Sequence, residues 1–330
     1  MSKAVALVVV VLFLVVFSDE CYGELRVGFY KGKCGMTDVE GVVRRVVKTW
    51  FFTKDKTIAA ALLRMQFHDC FVKGCDASIL LDGKNSEKEA IPNKSVRGYE
   101  LIDAIKGALE AECKGLVSCA DIISLATRDA VLLSGGKWYN VETGRRDGNV
   151  SLASNVNLPG PSISVSASIK AFASKKLTPT DMVYLLGGHT VGIAHCSLFK
   201  DRLYNFNNTG GPDPTMSKWL LFVLRMKCPR VSSFDNIVPL DVGTPSFVDN
   251  SFFQQIKRGN GVLQIDQQIA LDKLTKNIVD GIVKGPDFYT KFGEAMVKLG
   301  KVDVLTDGQG EVRKSCRVVN KKPFIFGIFN

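Results

Sequence analysis

No internal repeat and no low-complexity tract interrupts the 330 residues, so neither a solenoid nor a fibrous array is expected. No Lys/Arg-rich run with interleaved aromatics is present, which excludes nucleic acid as the expected partner. The apolar run 4–17 falls short of the ~20 residues a membrane span needs, and no membrane is expected as a partner. No Asp-x-Asp-x-Asp-Gly core occurs, which excludes an EF-hand. Histidine is scarce, with three in all: His68, His189 and His195.

What is present begins with Lys3, the apolar run, and Cys21-Tyr22-Gly23, the pattern of a secretory signal peptide spanning 1–23 with cleavage after Gly23. One cation, Lys3, and two anions, Asp19 and Glu20, leave with it, moving the net charge from +10 to +11. The basic residues are scattered, and a secreted basic protein should associate with polyanions such as acidic cell-wall polysaccharide. With 46% hydrophobic residues the remainder, 24–330, can bury one large core or two lobes. It keeps Cys34, Cys70, Cys75, Cys113, Cys119, Cys196, Cys228 and Cys316. An even count in a secreted chain argues for four disulfides, with on the order of a hundred pairings open.

The chain is organised around residues 60–78. Leu62, Leu63, Phe67 and Phe71 have the spacing of a buried helix. Arg64 and His68 interrupt that pattern four residues apart, so both project from one face, about 6 Å apart along the axis. Burying a guanidinium and an imidazole is costly unless something there uses them. Asp69, Cys70, Gly74, Cys75, Asp76 and Ser78 follow as a loop rich in oxygen ligands. A zinc reading of His68, Cys70 and Cys75 would need free thiols in an oxidising compartment.

Helical spacing also marks 37–51 (Val39, Val42, Val43, Val46, Val47, Trp50), 117–133 and 164–175. Asp121 falls inside an apolar run and needs a partner if buried. Pro159 and Pro161 exclude a helix over 157–162. Thr178, Pro179 and Asp181 read as an N-cap, first helical residue and acidic third. Gly187 and Gly188 precede His189 and remove side chains where a flat cofactor could approach closely. Asp241, Thr244 and Asp249 cluster oxygen ligands of the kind Ca²⁺ takes.

The segment R-x-x-F-H-D-C-x-x-x-G-C-D-x-S resembles the distal helix of the secretory plant (class III) haem peroxidases, and the resemblance runs over nearly all of 24–330. It implies an all-α fold of about ten or more helices in two lobes sandwiching one haem b, with minor β content. His68, Arg64 and Asn93 would be catalytic and His189 the iron ligand. Asp266 would accept the Nδ1–H of His189. Glu87 would support Asn93 from behind, Phe67 would restrict access to the iron, and Pro159 would lie at the substrate edge. Two Ca²⁺ ions are implied, one held by Asp69, Val72, Gly74, Asp76 and Ser78. The second would use Thr190, Asp241, Thr244, Phe247 and Asp249. The implied disulfides are Cys34–Cys113, Cys70–Cys75, Cys119–Cys316 and Cys196–Cys228, and Arg145 would pair with Asp121. One departure from the pattern is Ile265, where the family commonly has serine; it should change how water reaches Asp266.

The activity so implied is reduction of hydrogen peroxide with one-electron oxidation of small phenolic or aromatic donors, by a secreted monomer. Lys321–Asn330 extends beyond the usual terminus and fits a vacuolar sorting extension or a longer tail. Sequons at Asn149 and Asn207 are the expected glycan sites; that at Asn93 conflicts with a buried role. A catalytically silent, disulfide-braced wall-binding protein of the same fold would be signalled by loss of Arg64, His68, Asn93 or His189, and all four are present. A cysteine or zinc hydrolase needs a free thiol or a water-bearing metal, against the even cysteine count.

Overall fold

The computed structural model describes residues 25–321; the signal segment and residues 322–330 lie outside the described residues. Among the described residues twelve α-helices carry the fold. They are α1 (Val39–Thr53), α2 (Ile58–Val72), α3 (Tyr99–Glu112), α4 (Cys119–Leu133), α5 (Val165–Ala173), α6 (Pro179–Leu186), α7 (Lys200–Tyr204), α8 (Lys218–Lys227), α9 (Ser251–Lys257), α10 (Gln264–Ile269), α11 (Lys276–Lys284) and α12 (Phe288–Leu299). Two antiparallel pairs supply the β content. Strand β1 (Arg26–Val27) pairs with β2 (Glu142–Thr143), and β3 (Ile193–His195) pairs with β4 (Ile237–Pro239).

Two apolar cores form. The first joins Val43 and Val47 of α1, Leu62 and Met65 of α2, Ile105 of α3 and Ile122 of α4. The second gathers Phe172, Val183, Phe252, Phe253, Phe288 and Phe292 from α5 to α12. Helix α2 feeds both, because Leu63, Cys70 and Phe71 turn toward the second core. A helix buried on two opposite sides needs apolar residues on both, which explains why those of α2 are not confined to one face.

Local chemistry sets the helix ends that matter for function. Thr178 and Asp181 form a reciprocal capping box at the start of α6, with Pro179 at its first position. The helix ends at Leu186, and 187–190 tightens into a 3₁₀ turn that presents His189. Four disulfides tie the chain: Cys34–Cys113, Cys70–Cys75, Cys119–Cys316 and Cys196–Cys228. The bond between Cys70 and Cys75 removes both thiols from the zinc reading. Asp121 and Arg145 meet at 2.8 Å in full burial, and Asp121 also accepts from the Tyr30 hydroxyl and the Gly144 amide. This pair is structural, since nothing reactive reaches it.

Candidate active site

On α2, Arg64 and His68 share one face as their spacing requires. The Arg64 Nε–H donates to His68 Nε2 at 3.3 Å, and His68 Nδ1 lies 2.6 Å from Asn93 Oδ1. A guanidinium can only donate, so Nε2 is the bare nitrogen and Nδ1 carries the proton given to Asn93. The Asn93 amide is fixed in turn, donating through Nδ2 to the Glu87 main-chain carbonyl at 2.8 Å. Support from Glu87 therefore comes through its backbone. Its carboxylate is buried without a hydrogen bond, and burial, followed by the charge of Asp76, raises it to about 7.

Burial, then the Arg64 charge, lowers His68 to about 4, against the hydrogen bond it donates to Asn93, which raises it. A neutral imidazole is thereby kept over the working pH range. Arg64 stands open to solvent on an otherwise buried helix, anchored by Pro92 O at 2.7 Å and Ser95 Oγ at 3.0 Å. Neither anchor was legible beforehand: one is a carbonyl, and Ser95 falls in a polar loop with no periodic signal. Phe67 packs tilted against Phe71 at 4.7 Å and meets His68 edge-on at 6.0 Å.

His189 is presented from the opposite element. Its Nδ1 is 2.8 Å from Asp266 Oδ1, on α10, leaving Nε2 free. Burial pulls its pKa down, but the charge and hydrogen bond of Asp266 outweigh that and raise it. Phe252 meets the imidazole edge-on at 6.1 Å, a contact with no sequence signal. The side chain remains 32% exposed although Asp266 is fully buried. Gly187 answers to packing rather than to a cofactor, since a Cβ there would come within 2.9 Å of Phe253 and Phe288. At Gly188 a Cβ would meet nothing nearer than 4.0 Å.

An imidazole with one nitrogen committed and one free, an arginine open to solvent amid buried residues, and room above Gly188 are what a haem ligated by His189 requires. Pro159 lines a cleft of about 580 Å³ that also involves Phe71, Val72, Leu158 and Lys175. His195 stays outside, half-exposed beside the Asp235 carbonyl.

Two oxygen-rich clusters flank the histidines. Asp69 and Asp76 are buried together, and burial and the Asp76 charge push Asp69 well above the usual carboxylate range. Ser78 Oγ is buried with no partner. Gly74 takes a left-handed φ of +112°, and a Cβ there would collide with the Asp303 carbonyl at 2.1 Å. The Val72 carbonyl accepts from Lys175 Nζ at 3.2 Å. In the second cluster Thr190 Oγ1 donates to the Phe247 carbonyl at 3.0 Å and Thr244 Oγ1 to Asp249 at 2.9 Å. Asp241 lies 3.2 Å from Thr244 Oγ1 and is raised by burial. Neither cluster joins three carboxylate, imidazole or thiolate groups; both mix carboxylates with hydroxyls and carbonyls. Such hard-oxygen sets fit Ca²⁺, the first with two buried carboxylates and the orphaned Ser78 hydroxyl, the second with Asp241 buried and Asp249 half-buried beside two threonine hydroxyls.

The family model described as peroxidase matches residues 43–285. Peroxidase 60 of Arabidopsis thaliana is 51% identical over 326 residues, covering 97% of this chain and 98% of the relative. Peroxidase 57 of the same plant is 50% identical over 300 residues, covering 91% and 94%. Peroxidase N1 of Nicotiana tabacum is 42% identical over 322 residues, covering 96% and 97%.

Proposed function

Since the chain belongs to the peroxidase family, in its secretory plant class, we propose that His68, Arg64 and Asn93 act on peroxide while His189 holds the haem from the other side. The enzyme is a haem peroxidase that reduces hydrogen peroxide and oxidises phenolic-type donors in one-electron steps. Its cofactors are one haem b and two calcium ions. When bound, the haem supplies the two-electron reduction of peroxide and passes the oxidising equivalents to donors one electron at a time.

His68 Nε2 takes the proton from one peroxide oxygen and returns it to the other, which departs as water. As the imidazole gains charge, Nδ1–H pulls harder on Asn93 Oδ1, so that bond strengthens when it is needed. Arg64 turns its guanidinium toward the departing oxygen and offsets the negative charge developing there, an effect of about 3–4 kcal/mol in comparable sites. Asp266 makes the His189 imidazole a stronger donor to iron. Phe67 limits what reaches the reacting face, and Pro159 borders the donor's approach. The observation that carries this reading is the pre-set tautomer of His68, with Nε2 bare and Nδ1 held.

Asp69, Val72, Gly74, Asp76 and Ser78 would hold one calcium, and Thr190, Asp241, Thr244, Phe247 and Asp249 the other. Residues 24–330 form a single haem peroxidase domain after signal removal. The enzyme works outside the cell, in keeping with its four disulfides, and the tail from Lys321 is its candidate route to the vacuole. It acts as a monomer with affinity for acidic wall polysaccharide. Asn149 and Asn207 are exposed and suited to glycans, whereas Asn93 is buried and committed to His68.

The test is direct. The purified protein should show a Soret band and peroxide-dependent guaiacol oxidation. His68→Ala should keep the Soret band and slow the peroxide step by about 10²–10⁴-fold; an unchanged step in stopped flow refutes the assignment.

A further inference from the structure

Helix α8 is apolar on two opposite sides. Leu220 and Leu224 face the core, fully buried. Trp219, Phe222 and Met226, at helical i, i+3, i+7 spacing, point the other way and are 55%, 63% and 62% exposed. An ordinary surface helix has one apolar face, turned to the core, and the second apolar side of this one has no partner among the described residues. The chain leaving it continues the pattern with Val231 at 90% and Phe234 at 79% exposure. That loop is held to the body by the Cys196–Cys228 bond, by Asn236 Nδ2 on the Lys227 carbonyl and by the Tyr204 hydroxyl on the Cys228 carbonyl. The exposed side chains are therefore displayed by a braced frame.

Charge along the same stretch has one sign. Residues 214–234 contain Lys218, Arg225, Lys227 and Arg230 and no Asp or Glu. A second copy would bring these cations against themselves in a two-fold contact, which disfavours self-association. An acidic polysaccharide would satisfy the cations and can lay the C–H face of a sugar ring on Trp219 or Phe222, but its hydrated chain gives Met226, Val231 and Phe234 no apolar medium to enter. A bilayer whose outward leaflet, the one a secreted enzyme reaches, carries anionic headgroups answers both, accepting Trp and Phe at the interface and pairing Lys and Arg with phosphate.

We propose that α8 and the loop 229–234 form a peripheral docking surface for an anionic lipid bilayer. It is a contact on the membrane face, not a span. Among the described residues no helix is long and apolar enough to cross. The expectation of no membrane partner rested on linear apolar runs, which do not register a stripe made of every third or fourth residue.

The haem-loaded mature enzyme should be sedimented with phosphatidylcholine vesicles containing about 30% phosphatidylserine, and with phosphatidylcholine alone. Binding is expected to the anionic vesicles, with a blue shift of tryptophan emission that Trp219→Ser removes. The double variants Trp219→Ser/Phe222→Ser and Lys227→Glu/Arg230→Glu should each lower partitioning at least about tenfold, with Soret band and guaiacol turnover unchanged. The proposal is overturned if the native enzyme does not bind vesicles, or if the apolar double variant binds as well as native. It is equally overturned if the apolar residues govern retention on polygalacturonate, or dimerisation in ultracentrifugation, instead of vesicle binding.

Discussion

Replacing Asn93 by valine tests the catalytic geometry at its most exposed joint. Valine is close in volume and loses both the Oδ1 acceptor that lies 2.6 Å from His68 Nδ1 and the Nδ2 donor to the Glu87 carbonyl. Two consequences follow. The Nδ1–H is left buried without a partner, a loss of about 1–3 kcal/mol. If that bond strengthens as the imidazole takes the peroxide proton, the same energy appears in the barrier, a fall of roughly 5- to 150-fold in rate at 1.4 kcal/mol per tenfold. The pH profile should move as well. The peroxide step needs neutral His68, so in the native enzyme it is fully developed above about pH 4 and lost as pH drops through that value. Asn93 raises the His68 pKa, so its removal lowers it further and the acid limb moves to lower pH as the plateau falls. Stopped-flow spectra of the Soret region from pH 3 upward would measure both. An unchanged plateau, or an acid limb shifted to higher pH, refutes the argument that Asn93 sets the base.

Much of the fold was legible because its key signals are local. Val39 to Trp50 have a clear 3.6-residue period, and the capping pattern of Thr178, Pro179 and Asp181 reappears as bonds at the head of α6. His68 stood out because a polar residue in an apolar run needs a reason, and His189 because two glycines precede it in a segment that matches the family. What sequence could not show is how backbone atoms finish the site. The carbonyl of Pro92 holds Arg64, and that of Glu87 holds Asn93, and a carbonyl has no residue-specific signature. The reason for Gly187 was also hidden, because Phe253 and Phe288, which need its missing Cβ, are more than sixty residues away. The stripe on α8 was hidden differently: Trp219 and Leu220 look equally buried in a list of residues, and only packing separates inner from outer face.

Arg64→Leu should leave haem binding intact and slow the peroxide step by about 10²–10³-fold, read by stopped flow, since the group acts on charge that appears only as the oxygen departs. Asp121→Asn should destabilise the protein by about 3–5 kcal/mol in denaturant titration, because Arg145 would be left buried and uncompensated; a smaller loss than ~1 kcal/mol would show that the pair tolerates neutralisation. Calcium removal is the most demanding case, because it joins stability to chemistry. Asp69 follows His68 directly and Thr190 follows His189, so each proposed ion tethers the segment that aims one imidazole. Without a cation Asp69 and Asp76 face each other in burial, with the Ala77, Ile79 and Ser78 amides and the Arg313 charge to offset theirs. Chelation should therefore lower the thermal midpoint and the peroxide rate together, and added Ca²⁺ should restore both. At free Ca²⁺ of 100 times Kd the linkage amounts to about 2.7 kcal/mol per site. Full activity after calcium loss proven by atomic absorption would break the connection between the ion and the orientation of the imidazole beside it.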